Sequence, residues 1–246
     1  MIKSKDKFAF TLAEVLITLG IIGIVAALTI PALMNYFKVK ELEIRFKKAD
    51  SIIQQALKKT VNEAGYDSIS DLNIDGRKVT NENLSVLKKE VSETLNPIWL
   101  QQFTTLTPLS SSSIYWSGER CHEMTGRIFN MFAECWFSYG NGKAYQLQDG
   151  LTITGLSAHY GGINHPGQIS FLFDTNGPYK GPNRWGHDIF LYHSYPKYNT
   201  MCNPTIVNSG NQTGCYYWAK NNINPKDKST PYWNVLYKPL SYWQNK

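Results

Sequence analysis

From Val15 to Met34 the chain carries almost no polar side chain, and this run limits its folding options more than any other stretch. Its length is about the 20 residues that a helix needs to cross a bilayer. In hydrocarbon only helices and closed barrels satisfy their own backbone groups, so a single apolar run of this length is expected to be a helix. Lys3, Lys5 and Lys7 precede it. By the positive-inside rule they keep the N-terminus in the cytoplasm and send the remainder across. The competing reading is a cleaved secretory signal peptide. That has a shorter apolar core of roughly 7–15 residues ending at a small-residue cleavage site. Here the run is longer and continues into an amphipathic helical pattern.

Glu14 is the anomaly at the edge of this run. A charged side chain well inside a bilayer costs roughly 2.5–3.5 kcal/mol or more, so an ionisable group there implies a partner. No basic residue lies between Ala9 and Tyr36. Either the partner comes from outside this segment, or Glu14 stays neutral or snorkels to the headgroups, as in an ordinary signal anchor.

The residues Ala9-Phe10-Thr11-Leu12-Ala13-Glu14-Val15-Leu16-Ile17-Thr18-Leu19 resemble the processing site of type IV pilins and type II secretion pseudopilins. The family usually has Gly before the cut, where this chain has the also small Ala9. The resemblance implies cleavage by a prepilin peptidase between Ala9 and Phe10, followed by N-methylation of Phe10. It places Glu14 at the fifth mature position, where the family has its glutamate. It also supplies the missing counter-charge, because the cut creates an ammonium on Phe10 that meets the glutamate of a neighbouring subunit. A charge pair at about 4 Å gains a few kcal/mol at an effective dielectric near 20. Desolvation takes much of that back, so the pair sets register between subunits while apolar helices supply the area. The implied organisation is a leader at 1–9, a membrane and assembly helix at 10–34, and an exported head at 35–246. The implied partners are the peptidase, other pilin or pseudopilin subunits and, indirectly, an inner-membrane assembly platform and its ATPase.

Within the apolar run, Pro31 removes a backbone hydrogen bond and is expected to kink the helix. Gly20 and Gly23 weaken it, by roughly 1 kcal/mol each relative to Ala. Gly23 and Ala27 form a small-xxx-small pair that lets another helix approach. From Lys38 to Ala64 the pattern turns amphipathic, with Leu42, Phe46, Ala49, Ile53, Ala56 and Thr60 at three- and four-residue steps. Val39, Ile52, Leu57 and Val61 broaden that face, and Gly65 is the expected stop. One helix of about 55 residues, or roughly 80 Å, follows. Its second half should bury the stripe against a globular domain.

After a loop at 66–79, Asn81 is expected to cap a short helix that runs to Leu95 and ends at Asn96-Pro97. Beyond it the chain reads as β, so the fold class is α+β: a long N-terminal helix packed on a C-terminal antiparallel sheet, pilin-like. Strand candidates are Ile114–Trp116, Ile128–Phe137 (equally readable as helix), Lys143–Leu147, Leu151–Thr154, Gln168–Phe173, Asp188–His193 and Trp233–Tyr237. Asp149-Gly150 is a hairpin signal. The stretches Ile169–Gly177 and Gly181–Phe190 resemble the C-terminal sheet of some bacterial pilin-like proteins.

The chain has 246 residues, one domain of ordinary size plus an anchor. Cys121, Cys135, Cys202 and Cys215 all fall in the exported part, where disulfides persist. Sequence proximity favours the pairs Cys121–Cys135 and Cys202–Cys215, and neither has the short spacing of a zinc site. Asp174, Asn176 and Asp188 are candidate oxygen ligands for calcium, as in the C-terminal loop of some pseudopilins. Against that stands an Asx turn over 174–177, whose side chains bond their own backbone. No other cofactor is expected.

His122, His159, His165, His187 and His193 form no ligand motif, and no nucleophile elbow or phosphate loop is present, so no catalytic residues are assigned. The net charge of +6 is spread over scattered lysines, so nucleic acid is not an expected partner. The expected function is a structural pilus or pseudopilus subunit in the bacterial inner membrane, and then in a periplasmic pseudopilus or an extracellular pilus. The alternatives are a tip subunit gripping DNA or glycan with an aromatic head, and an unrelated signal-anchored enzyme.

Overall fold

The computed structural model describes residues 11–109, 144–159, 167–177, 180–182, 185–195, 202, 215–238 and 242. Ala9, Phe10, Cys121, Cys135 and the stretches Ile114–Trp116 and Ile128–Phe137 lie outside them. The chain forms two units, Met1–Lys40 and Glu41–Lys246. Helix α1, Leu12–Glu63, runs through both as 52 continuous helical residues, with Pro31 inside it.

The end of α1 is set by Gly65. Its φ of 85° is a left-handed conformation open to glycine at no steric cost. The amide of Gly65 donates to Asn62 O at 3.1 Å and that of Tyr66 to Val61 O at 2.8 Å, the paired bonds of a Schellman stop. In the second unit α1 buries Leu42, Phe46, Ala49, Ile53, Ala56, Leu57, Thr60 and Val61, the face expected from the three- and four-residue steps.

Among the described residues six strands form one antiparallel sheet: β1 Thr107–Leu109, β2 Ala144–Gln146, β3 Thr152–Thr154, β4 Ser157–His159, β5 Gln168–Asp174 and β6 Ile189–His193. The order is β1-β2-β3-β5-β4, with β6 on β5 as well. The Asp149-Gly150 hairpin joins β2 and β3 in the register Ala144↔Thr154 and Gln146↔Thr152. Strand β3 pairs with the end of β5 at Phe173 and Asp174, and β4 pairs with its beginning at Gln168–Ser170. The chain between β3 and β4 is fixed by Asn96, whose Oδ1 accepts from Leu156 N at 2.8 Å. A Cβ on Gly155 would sit 2.7 Å from that same oxygen, so a larger residue there would have to displace the Asn96 side chain.

Every residue of β5 is buried. Ile169, Phe171 and Phe173 alternate onto one face, where Trp99 lies 4.9 Å from Phe171 and Phe46 lies 6.3 Å from Phe173. Phe46 is the hub of this core, with its ring centroid 4.6 Å from Phe190, 5.3 Å from Trp233 and 5.9 Å from Tyr216. Burying one such ring contributes about 1.5–3 kcal/mol.

Two expected elements are corrected. The helix after the first loop is capped by Thr80, reciprocally bonded with Asn83, and α2 spans Asn81–Glu90. It does not stop at Asn96-Pro97. A π-turn, Val91–Leu95, leads directly into α3, Asn96–Gln101, with Pro97 in its first turn. Trp233–Tyr237 is not a strand. The segment Tyr232–Val235 is a 3-10 turn that drives Tyr232 and Trp233 into the core. A further helix, α4 Cys215–Asn221, begins at the disulfide joining Cys202 to Cys215.

The hairpin turn is tied to α1 by an ion pair of 2.8 Å between Lys48 Nζ and Asp149 Oδ2. Burial would raise the Asp149 pKa, but the Lys48 ammonium and the Leu151 amide outweigh it and hold the carboxyl below the usual range. A depressed carboxylate contributes stability above its unfolded pKa of about 3.9, and that contribution is lost as pH falls through the lower folded value. Asp149→Asn is therefore expected to cost up to about 1 kcal/mol at pH 7, a partly exposed pair being worth no more. In urea unfolding of the full chain in detergent, the gap to wild type should close in acid below the folded pKa. A gap that persists there would remove the ion pair as its cause.

Candidate assembly site at the head of the first helix

In the first unit Glu14, Thr18 and Thr29 make hydrogen bonds within their own stretch of chain. Glu14 Oε2 accepts from Thr11 N at 2.8 Å and from Thr11 Oγ1 at 2.8 Å. In return Glu14 N donates to Thr11 Oγ1 at 3.3 Å. This reciprocal pair is a capping box, and it satisfies donors that the first turn of a helix leaves open. The spacing Thr11-x-x-Glu14 before an apolar run is its sequence signature, which a reading of Glu14 purely as a charge passed over. Thr18 Oγ1 donates to Val15 O and Thr29 Oγ1 to Val25 O, both at 2.9 Å.

The apolar side chains of this unit are uncovered. Leu12 is 77% exposed, Ile24 65% and Leu28 75%. An exposed apolar surface on this scale marks a membrane or an interaction face. Helix α1 is long and apolar enough to cross a membrane. A Cβ on Gly20 or Gly23 would meet nothing within 4 Å, so both positions are open to a neighbouring helix.

In the second unit the calcium candidates fall in and beside one turn. Asp174 and Asp188 are fully buried, and Asn176 is nearly so. Asp174 Oδ1 accepts from Asn176 N and Gly177 N, both at 3.0 Å, which is the Asx arrangement. Asn176 Nδ2 donates to Gly181 O at 3.0 Å, and Thr175 N to Asp188 O at 2.9 Å. Thr175 Oγ1 and Asn176 Oδ1 are buried oxygens without a hydrogen-bond partner among the described residues. Calcium takes 6–8 oxygens with several carboxylates. Among the described residues, no group of three or more His, Cys, Asp or Glu side chains could hold a metal ion. The donor set therefore fits a turn-forming role for Asp174 better than a calcium cage.

A second polar group joins α4 to α1. Tyr216 donates from its hydroxyl to Asp50 Oδ1 at 2.5 Å, and accepts from Gln54 Nε2 at 2.9 Å and Lys220 Nζ at 3.2 Å. Lys220 also reaches Asp50 at 3.4 Å. Burial, and then the Asp50 carboxylate, push the Tyr216 phenol far above its ordinary pKa, and the same causes push Tyr192 up to about 12. Both phenols stay protonated at neutral pH, so Tyr216 remains a donor. Asp50 and Tyr216 are 166 residues apart, and no local signal could have joined them. Tyr232 and Trp233 are core residues, so these two are not the stacking surface that glycan binding would need.

Tyr216→Phe is expected to destabilise the head by about 1–3 kcal/mol, since it leaves Asp50 without its nearest donor. Urea unfolding of the full chain in detergent measures this. A stability equal to wild type would mean that the hydroxyl contributes nothing.

Residues 4–30 match the family model of the prokaryotic N-terminal methylation motif. No curated protein and no solved structure matches the chain. The motif indicates a prepilin-type, processed protein. It supports the likeness to type IV pilins and pseudopilins at the N-terminus. With a long N-terminal helix followed by an antiparallel sheet, the architecture is α+β and pilin-like.

Proposed function

We propose that this chain is a structural subunit of a type IV pilus or a type II secretion pseudopilus. A prepilin peptidase removes residues 1–9, and the new terminus at Phe10 is methylated. Residues 10–34 hold the protein in the inner membrane with its N-terminus in the cytoplasm and its head outside. Assembly transfers these helices from lipid into a filament, driven by a separate platform and ATPase. Glu14 pairs with the Phe10 ammonium of a neighbour and fixes the register between subunits.

The observation that carries this reading is the coincidence of two features on one segment. The methylation motif covers residues 4–30, and over the same stretch the apolar side chains of α1 from Leu12 onward are exposed. A segment that only anchored an enzyme would need the apolar surface but not the motif. Two measurements test the proposal. Mass spectrometry of the mature protein should find an N-methylated Phe10 at the terminus, and an intact Met1 in cells with an active peptidase would overturn it. Glu14→Val should reduce filament incorporation at least about tenfold, the loss of roughly 1.4 kcal/mol or more of pairing, without changing urea unfolding of the head. Normal incorporation would remove the pairing.

A further inference from the structure

We infer that Thr11 is a positioning residue for Glu14, and that the two oxygens of the Glu14 carboxylate divide the work. This inference rests on the proposed role of Glu14 in assembly. Both bonds from Thr11, amide and hydroxyl, fall on Oε2. Oε1 lies outside the box. One oxygen caps the subunit's own helix, and the other is left to receive a neighbour's ammonium.

The chemistry of the segment supports this division. Hydrogen bonds to an ionised carboxylate are short and strong, and the first turn of a helix carries partial positive charge that favours an anion. Thr11 thus gives Glu14 a partner within its own helix before any other subunit is present. The donor amide belongs to the Phe10–Thr11 peptide bond. Cleavage breaks the Ala9–Phe10 bond, and methylation falls on the freed Phe10 amine. Neither reaction touches the Thr11 N–H or hydroxyl, so the box survives maturation. The carboxylate therefore reaches assembly already oriented, and pairing does not require the cap to open.

The test uses the full processed chain in detergent micelles, with backbone amide exchange followed by NMR. Glutamine keeps an acceptor oxygen for the cap but has no charge for an ammonium, whereas alanine has neither. The Thr11 amide should exchange at least about tenfold faster in Glu14→Ala than in wild type, and within about threefold of wild type in Glu14→Gln. Equal rates in wild type and Glu14→Ala would overturn the cap. In cells, Thr11→Ser keeps the hydroxyl and should hold filament incorporation within about twofold of wild type, while Thr11→Val should lower it about tenfold. Equal incorporation of the Ser and Val variants would overturn the positioning role. The assembly reading fails separately: if Glu14→Gln enters filaments normally, the neighbour's ammonium is not required, whatever the exchange rates show.

Discussion

A backbone surrounded by hydrocarbon must bond to itself, and α1 answers that constraint over its whole length. Along residues 12–34 the two threonine hydroxyls fold back onto carbonyls of the same helix, and the one acid of that stretch folds back onto the first turn. What α1 presents outward along residues 12–34 is then almost entirely aliphatic. Such a surface is stable against lipid or against other helices of the same kind, and poorly stable in water. The methylation motif and this aliphatic surface fall on the same stretch of chain.

From Glu41 onward the same helix has a different task. One face carries apolar side chains at helical spacing and the other carries Lys47, Lys48, Lys58 and Lys59 in solvent. The apolar face is matched by a short-stranded sheet with a heavy aromatic content. Phe46, Phe171, Phe173, Phe190 and Trp233 interlock in edge-on and offset pairs, geometries that add to the gain from burial alone. Polar side chains do the joining at the margins. Asn96 fixes the β3–β4 connection, Asp149 fixes the hairpin, and Tyr216 fixes α4.

Features written in local pattern were legible in the sequence. The length of the apolar run, the three-and-four spacing from Leu42 to Val61, the stop at Gly65, the Asp-Gly turn and strands β5 and β6 all follow from residues within about ten positions of one another. Features decided by distant partners were not. The aromatic tail reads as strand by propensity, yet Tyr232 and Trp233 adopt a 3-10 turn because that turn places both in the core. Asn96-Pro97 reads as a terminator, yet the π-turn Val91–Leu95 carries the helical run through it into α3. At the candidate site the position of Glu14 was plain from its charge. Its bond to Thr11 was equally available in the spacing, and a reading concerned with charge alone had no use for it.

The tail of the chain carries a consequence for the order of events. Tyr216, Lys220 and Trp233 pack on residues 46–54, so residues 216–233 complete a surface begun 162 or more positions earlier. Contacts of such long separation form late and slowly. During synthesis the aromatic heart of the head must therefore wait, half-assembled, for its lid of C-terminal turns.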